Sequence, residues 1–277
     1  MVTPASKRTA AGVMITEFRR SQRQACALSG LGRSTWRYRF RRPADDEFRQ
    51  KLRAIAMQRP AFGYRRLGYF LRKDGLRFNH KRLLRLYRSE GLGLPRKRPR
   101  KRLWQRPRPL LKATFATERW SIDFVADQLG SGRRFRILTI MDDYTRQWPT
   151  TIVDTSISGT RVVRALEELA KTQPLPKAIV SDNGTEFTSG AFLSWAERRG
   201  IELRFIQPGK PNQNAFVESF NGKFRLECLN GHWFSTLEDA RRAIEIWRTD
   251  YNDVRPHSSL NDRTPAEFAA AHRETAA

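Results

Sequence analysis

Three acidic residues lie in apolar surroundings, where an ionised carboxylate is costly. Asp123 lies inside the strand-like run 120–125, with Ile122 and Phe124 directed to the opposite face. Asp182 ends a short apolar run, and Glu218 lies in a predicted helix with Asn214 and Asn221 near it on one face. A buried carboxylate needs a hydrogen-bond cluster, a basic partner or a metal ion. Taken singly, each acid has the ordinary reading of a turn, cap or surface residue, so the surrounding elements must decide.

The elements that carry these acids indicate an α/β fold. Three strands joined by short turns predict an antiparallel meander, and the alternating helices and strands after them predict a mixed five-stranded sheet with helices on its faces. The predicted strands are 120–125, 135–141, 149–153, 178–182 and 202–206, and the predicted helices are 161–171, 192–199, 215–229 and 237–251. Asp142 and Asp143 rival Asp123 on local pattern, but we interpret them as turn residues.

The positive charge is concentrated in the first two fifths of the chain. The formal net charge is +25, and residues 1–112 hold 32 of the 53 basic residues but only 6 of the 28 acidic ones. This predicts a polyanion partner for that part, because cations that neutralise phosphates release counterions. No long apolar run indicates a membrane span or a secretory signal, and two cysteines are too few for a disulfide framework or a structural zinc site. We expect a reducing compartment.

The basic part is predicted to contain helical DNA-binding units. Residues 1–44 are interpreted as a loosely ordered lead-in and a short helix-turn-helix-like segment in which Ser34 caps the second helix. Residues 45–94 form a better unit, in which Asn79 caps a helix with an apolar face and a basic face. The basic face, predicted to contact DNA, contains Lys81, Arg82, Arg85 and Arg88. The alternative is a helical bundle with a solvated basic face. Residues 95–112 are rich in proline and arginine and predict an extended linker.

Longer motifs around the acids are specific. The runs Trp120 to Asp123, Ser181 to Phe187 and Pro211 to Asn221, with 35 residues between Asp182 and Glu218, resemble the DDE signature of retroviral integrases and related transposases. The nearest pattern is the second-reading-frame (OrfB) product of bacterial insertion sequences. The motif Phe62 to Arg66 and the C-terminal stretch 251–265 are similar to the same group.

The resemblance implies an RNase H-like core in residues 113–277 and a DDE transposase, a polynucleotidyl transferase that cleaves and joins DNA at insertion-sequence ends. It implies that Asp123, Asp182 and Glu218 are catalytic and hold two Mg²⁺ or Mn²⁺ ions, with Asp123 bridging both; oxygen ligands suit these hard cations. It also suggests DNA phosphate contacts near the metal ions, from Lys210, Asn214, Asn221 and Arg225.

Two alternatives remain open at this point: an RNase H-type nuclease that cuts without joining, and a DNA-binding regulator with an inactive core. The expected partners are transposon-end and target DNA, a homo-oligomer formed on DNA, and a first-reading-frame product as fusion or partner. No membrane partner is expected. The expected location is the bacterial cytoplasm, with the nucleoid.

Overall fold

The computed structural model describes residues 3–38, 45–95, 113–207 and 214–273. They fall into two units, 1–50 and 51–277. Almost all of the predicted linker 95–112 and the predicted DNA contact Lys210 lie outside the described residues. The domain boundaries at 44, 94 and 112 stay predictions.

The first unit consists of short helices, and the predicted loosely ordered lead-in is wrong. Helix α1 (Pro4–Thr16) begins after Thr3, whose hydroxyl accepts a hydrogen bond from the Ser6 N–H at 3.2 Å. Only Ala11 of this helix is fully buried. A helix that buries so little has no need of apolar residues at helical spacing, which is why its sequence does not predict it. Lys7 donates to the Gly30 carbonyl oxygen at 3.3 Å, which helps to hold α1 against α2.

The predicted helix-turn-helix-like segment is present as α2 (Gln22–Ser29) and α3 (Arg33–Arg37). Between them Gly30 adopts a left-handed conformation with φ of 62°, which suits glycine because it has no Cβ. Gly32 is the N-cap of α3. The predicted cap at Ser34 is therefore wrong.

Helix α4 (Asp46–Gln58) leads into two helices of the second unit, α5 (Tyr64–Lys73) and α6 (His80–Ser89). Helices α5 and α6 approach closely at Gly68, where an added Cβ would lie 2.6 Å from Leu83. Asn79 caps α6 as predicted, accepting the Lys81 N–H at 2.9 Å. The apolar and basic faces of α6 are also as predicted: Leu83, Leu86 and Tyr87 are buried, Lys81, Arg85 and Arg88 are exposed, and Arg82 is half-buried.

The predicted mixed sheet is confirmed. Its strands are β1 (Arg119–Gln128), β2 (Arg134–Asp142), β3 (Thr151–Asp154), β4 (Ala178–Ser181) and β5 (Glu202–Phe205). Their order is β3-β2-β1-β4-β5. Strands β1 to β3 pair antiparallel, whereas β4 pairs parallel with β1 and β5. Strand β1 is therefore central.

Helices cover both faces of this sheet: α7 (Gly159–Ala170), α8 (Gly190–Arg198), α9 (Ala215–Glu227) and α10 (Leu237–Asp253). Helix α11 (Pro265–Arg273) packs against α10. Residues of α7 and α8 pack with Ile122 and Ile140 in one apolar cluster. Residues of α9 and α10 pack with Val125 and Trp148 in another. In the parts of the chain that the structure describes, no helix is long and apolar enough to cross a membrane.

Candidate active site

Asp123 lies on the face of central strand β1 that α9 covers. Ile122 belongs to the α7 and α8 cluster, so alternation along the strand directs Asp123 to the other face. The parallel pairing of β1 with β4 extends only to Ser121 and Val180, so the two strands cease to be paired just before Asp123. The carboxylate accepts two hydrogen bonds, from the Phe124 N–H at 2.7 Å and from the Asn221 amide at 2.8 Å.

Asp182 directly follows β4, at the carboxyl end of a strand adjacent to β1. Its Oδ1 atom accepts a hydrogen bond from the Gly184 N–H at 3.1 Å. A Cβ at Gly184 would lie 3.0 Å from that oxygen, so glycine lets the backbone approach the carboxylate closely. The turn is also held by Asn183, whose amide donates to the Ile206 carbonyl oxygen at 3.0 Å.

Glu218 lies in the first turn of α9, and polar contacts hold that helix on β1. Asn214, just before the helix, donates to the Ile122 carbonyl oxygen at 3.3 Å. One and two turns beyond Glu218, Asn221 binds Asp123 and Arg225 donates to the Ala126 carbonyl oxygen at 3.0 Å. A shallow cleft of about 280 Å³ results, lined by Asp123, Glu218, Asn221 and Arg225 among others. Asp182 lies outside this cleft.

The electrostatics of the site favour the neutral form of its central carboxyl group. Burial, together with the negative charges of Asp182 and Glu218, raises the pKa of Asp123 from 3.8 to about 6, against the opposing hydrogen bonds from Phe124 and Asn221. Burial also raises the pKa of Glu218. Asp123 is therefore repelled by both other acids, and an added cation would relieve that repulsion.

The oxygen donors suit a hard divalent cation. The Oδ1 atom of Asn221, beside Asp123, is buried and has no hydrogen-bond partner among the described residues, as expected near a site for a cation or water. Within the described ranges, however, no group of three His, Cys, Asp or Glu residues is close enough to hold a metal ion as it stands.

The structure separates the predicted DNA contacts. Arg225 is exposed at the cleft, Asn221 is half-buried against Asp123, and Asn214 is buried and turned toward β1. Asn214 thus has a packing contact rather than a surface position. Its contact with DNA, and those of Asn221 and Arg225, stay predictions.

Asp142 and Asp143 have structural roles at the end of β2 and in the turn after it. Both are buried. Asp142 accepts hydrogen bonds from three backbone N–H groups at 2.7–2.9 Å and from the Trp120 indole at 3.2 Å. Asp143 accepts a hydrogen bond from the Ser121 hydroxyl at 2.7 Å and pairs with Arg119 at 2.5 Å. Asp143 lies in the turn as predicted, whereas Asp142 is the last residue of β2, so its interpretation as a turn residue is wrong.

One group of contacts was not predicted from the sequence. Glu227, at the end of α9, accepts two hydrogen bonds from Arg255, at 2.8 and 2.5 Å, and one from Arg66 at 2.9 Å. Arg66 belongs to the motif at 62–66 and Arg255 to the C-terminal motif, so the network connects both motifs to the helix that carries Glu218. The motifs were recognisable, but no local pattern shows that they meet.

Comparisons with known proteins agree with this arrangement. Residues 114–211 and 199–265 match the integrase core domain, and residues 43–102 match an HTH-like domain. The chain is 48% identical, over 92% of its length and 93% of the other's, to a 31.7 kDa protein of insertion element IS407 from Burkholderia multivorans. It is 27% identical, over 79% of its length and 92% of the other's, to a transposase for insertion sequence element IS904 from Lactococcus lactis. The chain belongs to the integrase-core family of insertion-sequence transposases.

Solved structures show the same fold. A chain of the simian T-cell lymphotropic virus intasome in complex with PP2A regulatory subunit B56 gamma superposes with a TM-score of 0.52 at 13% identity, covering 79% of this chain and 74% of that one. The integrase-like core is thus confirmed. Membership of this transposase family implies a polynucleotidyl transferase-type enzyme that acts in DNA transposition and binds DNA.

Proposed function

We propose that this transposase cleaves and joins DNA strands at the ends of its element, with Asp123, Asp182 and Glu218 as the catalytic carboxylates. The observation that carries this proposal is the electrostatic state of Asp123. Its pKa is raised to about 6 by burial and by the other two acids. A buried carboxyl group at a cleft whose pKa is raised in this way is a candidate for function.

The surroundings of the three acids are suited to hold two Mg²⁺ or Mn²⁺ ions. The Phe124 N–H and the Asn221 amide orient the Asp123 carboxylate through one hydrogen bond to each oxygen, and each oxygen keeps a further lone pair for a ligand. Glu218 has no hydrogen bond or ion pair to any described residue, so its oxygens remain available. Bound ions at these carboxylates would supply Lewis acidity to the attacking and leaving oxygens of a phosphodiester.

Cationic side chains would hold the DNA. Arg225 extends along the edge of the cleft, where a phosphate approaching Glu218 would pass. On α6 the basic face with Lys81, Arg82, Arg85 and Arg88 would bind the backbone of the element end. Lys210 is proposed for the same role from its sequence position. A first-reading-frame partner and a cytoplasmic, nucleoid-associated location stay predictions.

The test is strand cleavage and joining on labelled DNA that carries the element's own ends, with Mg²⁺ present. We expect Asp182→Asn to abolish both products, because the amide keeps the Oδ1 acceptor for the Gly184 N–H but loses the negative charge. Asp127→Asn is the matched control, since Asp127 lies on β1 but does not line the cleft. We expect it to keep wild-type products.

Three outcomes would count against the proposal. Joining by Asp182→Asn at the wild-type rate would remove Asp182 from the site. Metal-dependent cleavage by the wild type without joining, even with a first-frame product supplied, would favour the nuclease. Tight DNA binding with no chemistry under the same conditions would leave a regulator with an inactive core.

A further inference from the structure

A second cleft, of about 620 Å³, lies between helices α5 and α6 and the segment 256–262. It is larger than the cleft of about 280 Å³ beside Asp123. Its volume lies within the range of about 300–1,000 Å³ that is usual for sites that enclose a small organic group. Intact duplex DNA is too wide to enter such a space, whereas one unpaired nucleotide is not.

One wall of the cleft combines cations with an aromatic ring. Arg65, Tyr69 and Arg72 follow one another at helical spacing on α5 and all line the cleft. Both arginines are exposed, and Tyr69 is half-buried. No described carboxylate pairs with Arg65 or Arg72, whereas their neighbour Arg66 is bound to Glu227. Arg65 donates one hydrogen bond to the Tyr64 hydroxyl at 3.2 Å, and Arg72 lies 5.1 Å from the centre of the Phe78 ring. The remaining guanidinium donors of both can bind a phosphate, and Tyr69 offers a surface for stacking.

The facing wall is a tight turn with two polar side chains. Asn261 and Asp262 line the cleft, are exposed, and have φ values of 56° and 61°. The turn is closed by hydrogen bonds from the N–H groups of Leu260 and Asp262 to the His257 carbonyl oxygen, both at 2.9 Å. Asn and Asp adopt the left-handed conformation more readily than other residues except glycine, so this tight turn can present both polar side chains to the cleft.

The chemistry of this turn favours a base over a bare phosphate. The Asp262 carboxylate would repel a phosphate but accepts hydrogen bonds from an exocyclic amino group, as of cytosine, and an amide such as that of Asn261 both donates and accepts. The opposite wall supplies the complementary chemistry, since aromatic side chains stack on unpaired bases and arginines bind the phosphates on either side.

We propose that this cleft binds an unpaired nucleotide of the DNA, with its base against Tyr69 and its phosphates at Arg65 and Arg72. Asn261 and Asp262 face the edge of the base. Unpaired nucleotides are cheapest to present where a duplex is opened or cut, as at the ends on which a transposase acts. The proposal extends beyond the catalytic function proposed above and does not depend on the catalytic carboxylates.

The test measures binding by the full-length chain with EDTA present, so that no metal-dependent chemistry occurs. The probe is a short single-stranded oligonucleotide with 2-aminopurine, whose fluorescence is quenched when it stacks, and the competitor is the same sequence as a perfect duplex. We expect Tyr69→Leu to weaken binding by about 5- to 150-fold and to abolish the quenching, because stacking on the ring is lost. We expect Tyr69→Phe to behave as wild type.

Two further variants keep the test informative if Tyr69→Leu folds poorly. Arg72→Gln changes an exposed side chain, and we expect weaker binding and a shallower salt dependence by about one phosphate contact. Its matched control is Arg164→Gln, which removes the same charge from an exposed position on α7. This control should leave the binding and its salt dependence unchanged. Asp262→Asn should reduce the preference for a probe whose base at this position is cytosine.

Wild-type quenching in Tyr69→Leu, measured with the duplex competitor present to occupy the basic face of α6, would overturn the proposal. Equal losses in Arg72→Gln and Arg164→Gln would also overturn it. Asp182→Asn should retain this binding. Loss of joining in that variant and loss of quenching in Tyr69→Leu therefore test separate sites.

Discussion

The two ends of helix α9 carry the same kind of residue in opposite states. Glu218, in the first turn, is exposed beside Asp123 and binds no described side chain. Glu227, the last residue of the helix, has a side chain that is only 5% exposed and is held by Arg66 and Arg255. The difference shows that partner cations, rather than residue type, separate an acid available to a ligand from an acid that holds the fold together.

Arginines enclose Glu227 at the carboxyl-terminal end of α9 because the buried charges there cannot remain unpaired. The Arg255 side chain is only 1% exposed, and a buried cation without a partner is strongly destabilising. Nearby, burial and the charges of Arg255 and Arg66 lower the pKa of Lys223. Glu227 thus neutralises a crowded basic cluster, whereas Glu218 faces other acids. The following predictions test this contrast, from the largest expected effect to the smallest.

At the amino-terminal end of α9, Glu218→Gln should abolish cleavage and joining while leaving the fold intact. We expect the free energy of unfolding to change by less than about 0.5 kcal/mol, since no described partner is lost. Product assays and urea unfolding measure the two quantities. Glu238→Gln is the matched control, because the Glu238 side chain is 80% exposed and far along the chain on α10. Joining by Glu218→Gln at the wild-type rate would mean that Glu218 is not catalytic.

At the carboxyl-terminal end of α9, Glu227→Gln should lower the free energy of unfolding of the core by about 3–5 kcal/mol, because two arginines lose their counter-charge. Urea unfolding followed by tryptophan fluorescence measures the loss. In the control Glu202→Gln, which breaks an exposed pair with Arg204, we expect a loss below about 1 kcal/mol. Equal losses in both variants would contradict the structural role given to Glu227.

The third prediction concerns the pH dependence of stability without metal. The pKa of Asp123 is raised in the folded state from 3.8 to about 6, so between these values the folded chain binds more protons than the unfolded one. The contribution of Asp123 to stability therefore falls as the pH rises from about 3.8 to about 6, and it stays low above that range. Asp123→Asn removes this pH-dependent loss of stability. The variant should therefore be more stable than wild type at about pH 8, by at most about 3 kcal/mol.

Urea unfolding in EDTA at about pH 8 and about pH 4 checks this expectation. The advantage of Asp123→Asn should disappear at the lower pH, where the wild-type carboxyl group is neutral. Saturating Mg²⁺ at about pH 8 should reverse the order, because the ionised carboxylate binds a cation that the amide cannot hold. An advantage that is independent of pH would show that the charge of Asp123 is not its source.

Helix α1 and the pair of rival aspartates show where sequence patterns fail. Helix α1 buries little apolar surface, so it leaves no periodic pattern to detect. Asp142 and Asp143 resemble Asp123 locally because all three lie in or beside strands. They differ in their partners, several of which come from elsewhere in the chain, such as Arg119 for Asp143. Neither difference can be derived from local residue order.

The sequence by itself determined the kind of protein. Apolar periodicity predicted the strands and helices of the core, and the charge distribution predicted a DNA-binding amino-terminal part. The resemblance of three motifs to the DDE signature predicted the three catalytic acids. These signals can be recognised from residue order alone. Only the tertiary structure decided which face of β1 is covered by α9, that Asn221 binds Asp123, and that Arg66 and Arg255 meet at Glu227. Those contacts join residues up to 161 positions apart, from Arg66 to Glu227, and they depend on packing that no local pattern encodes.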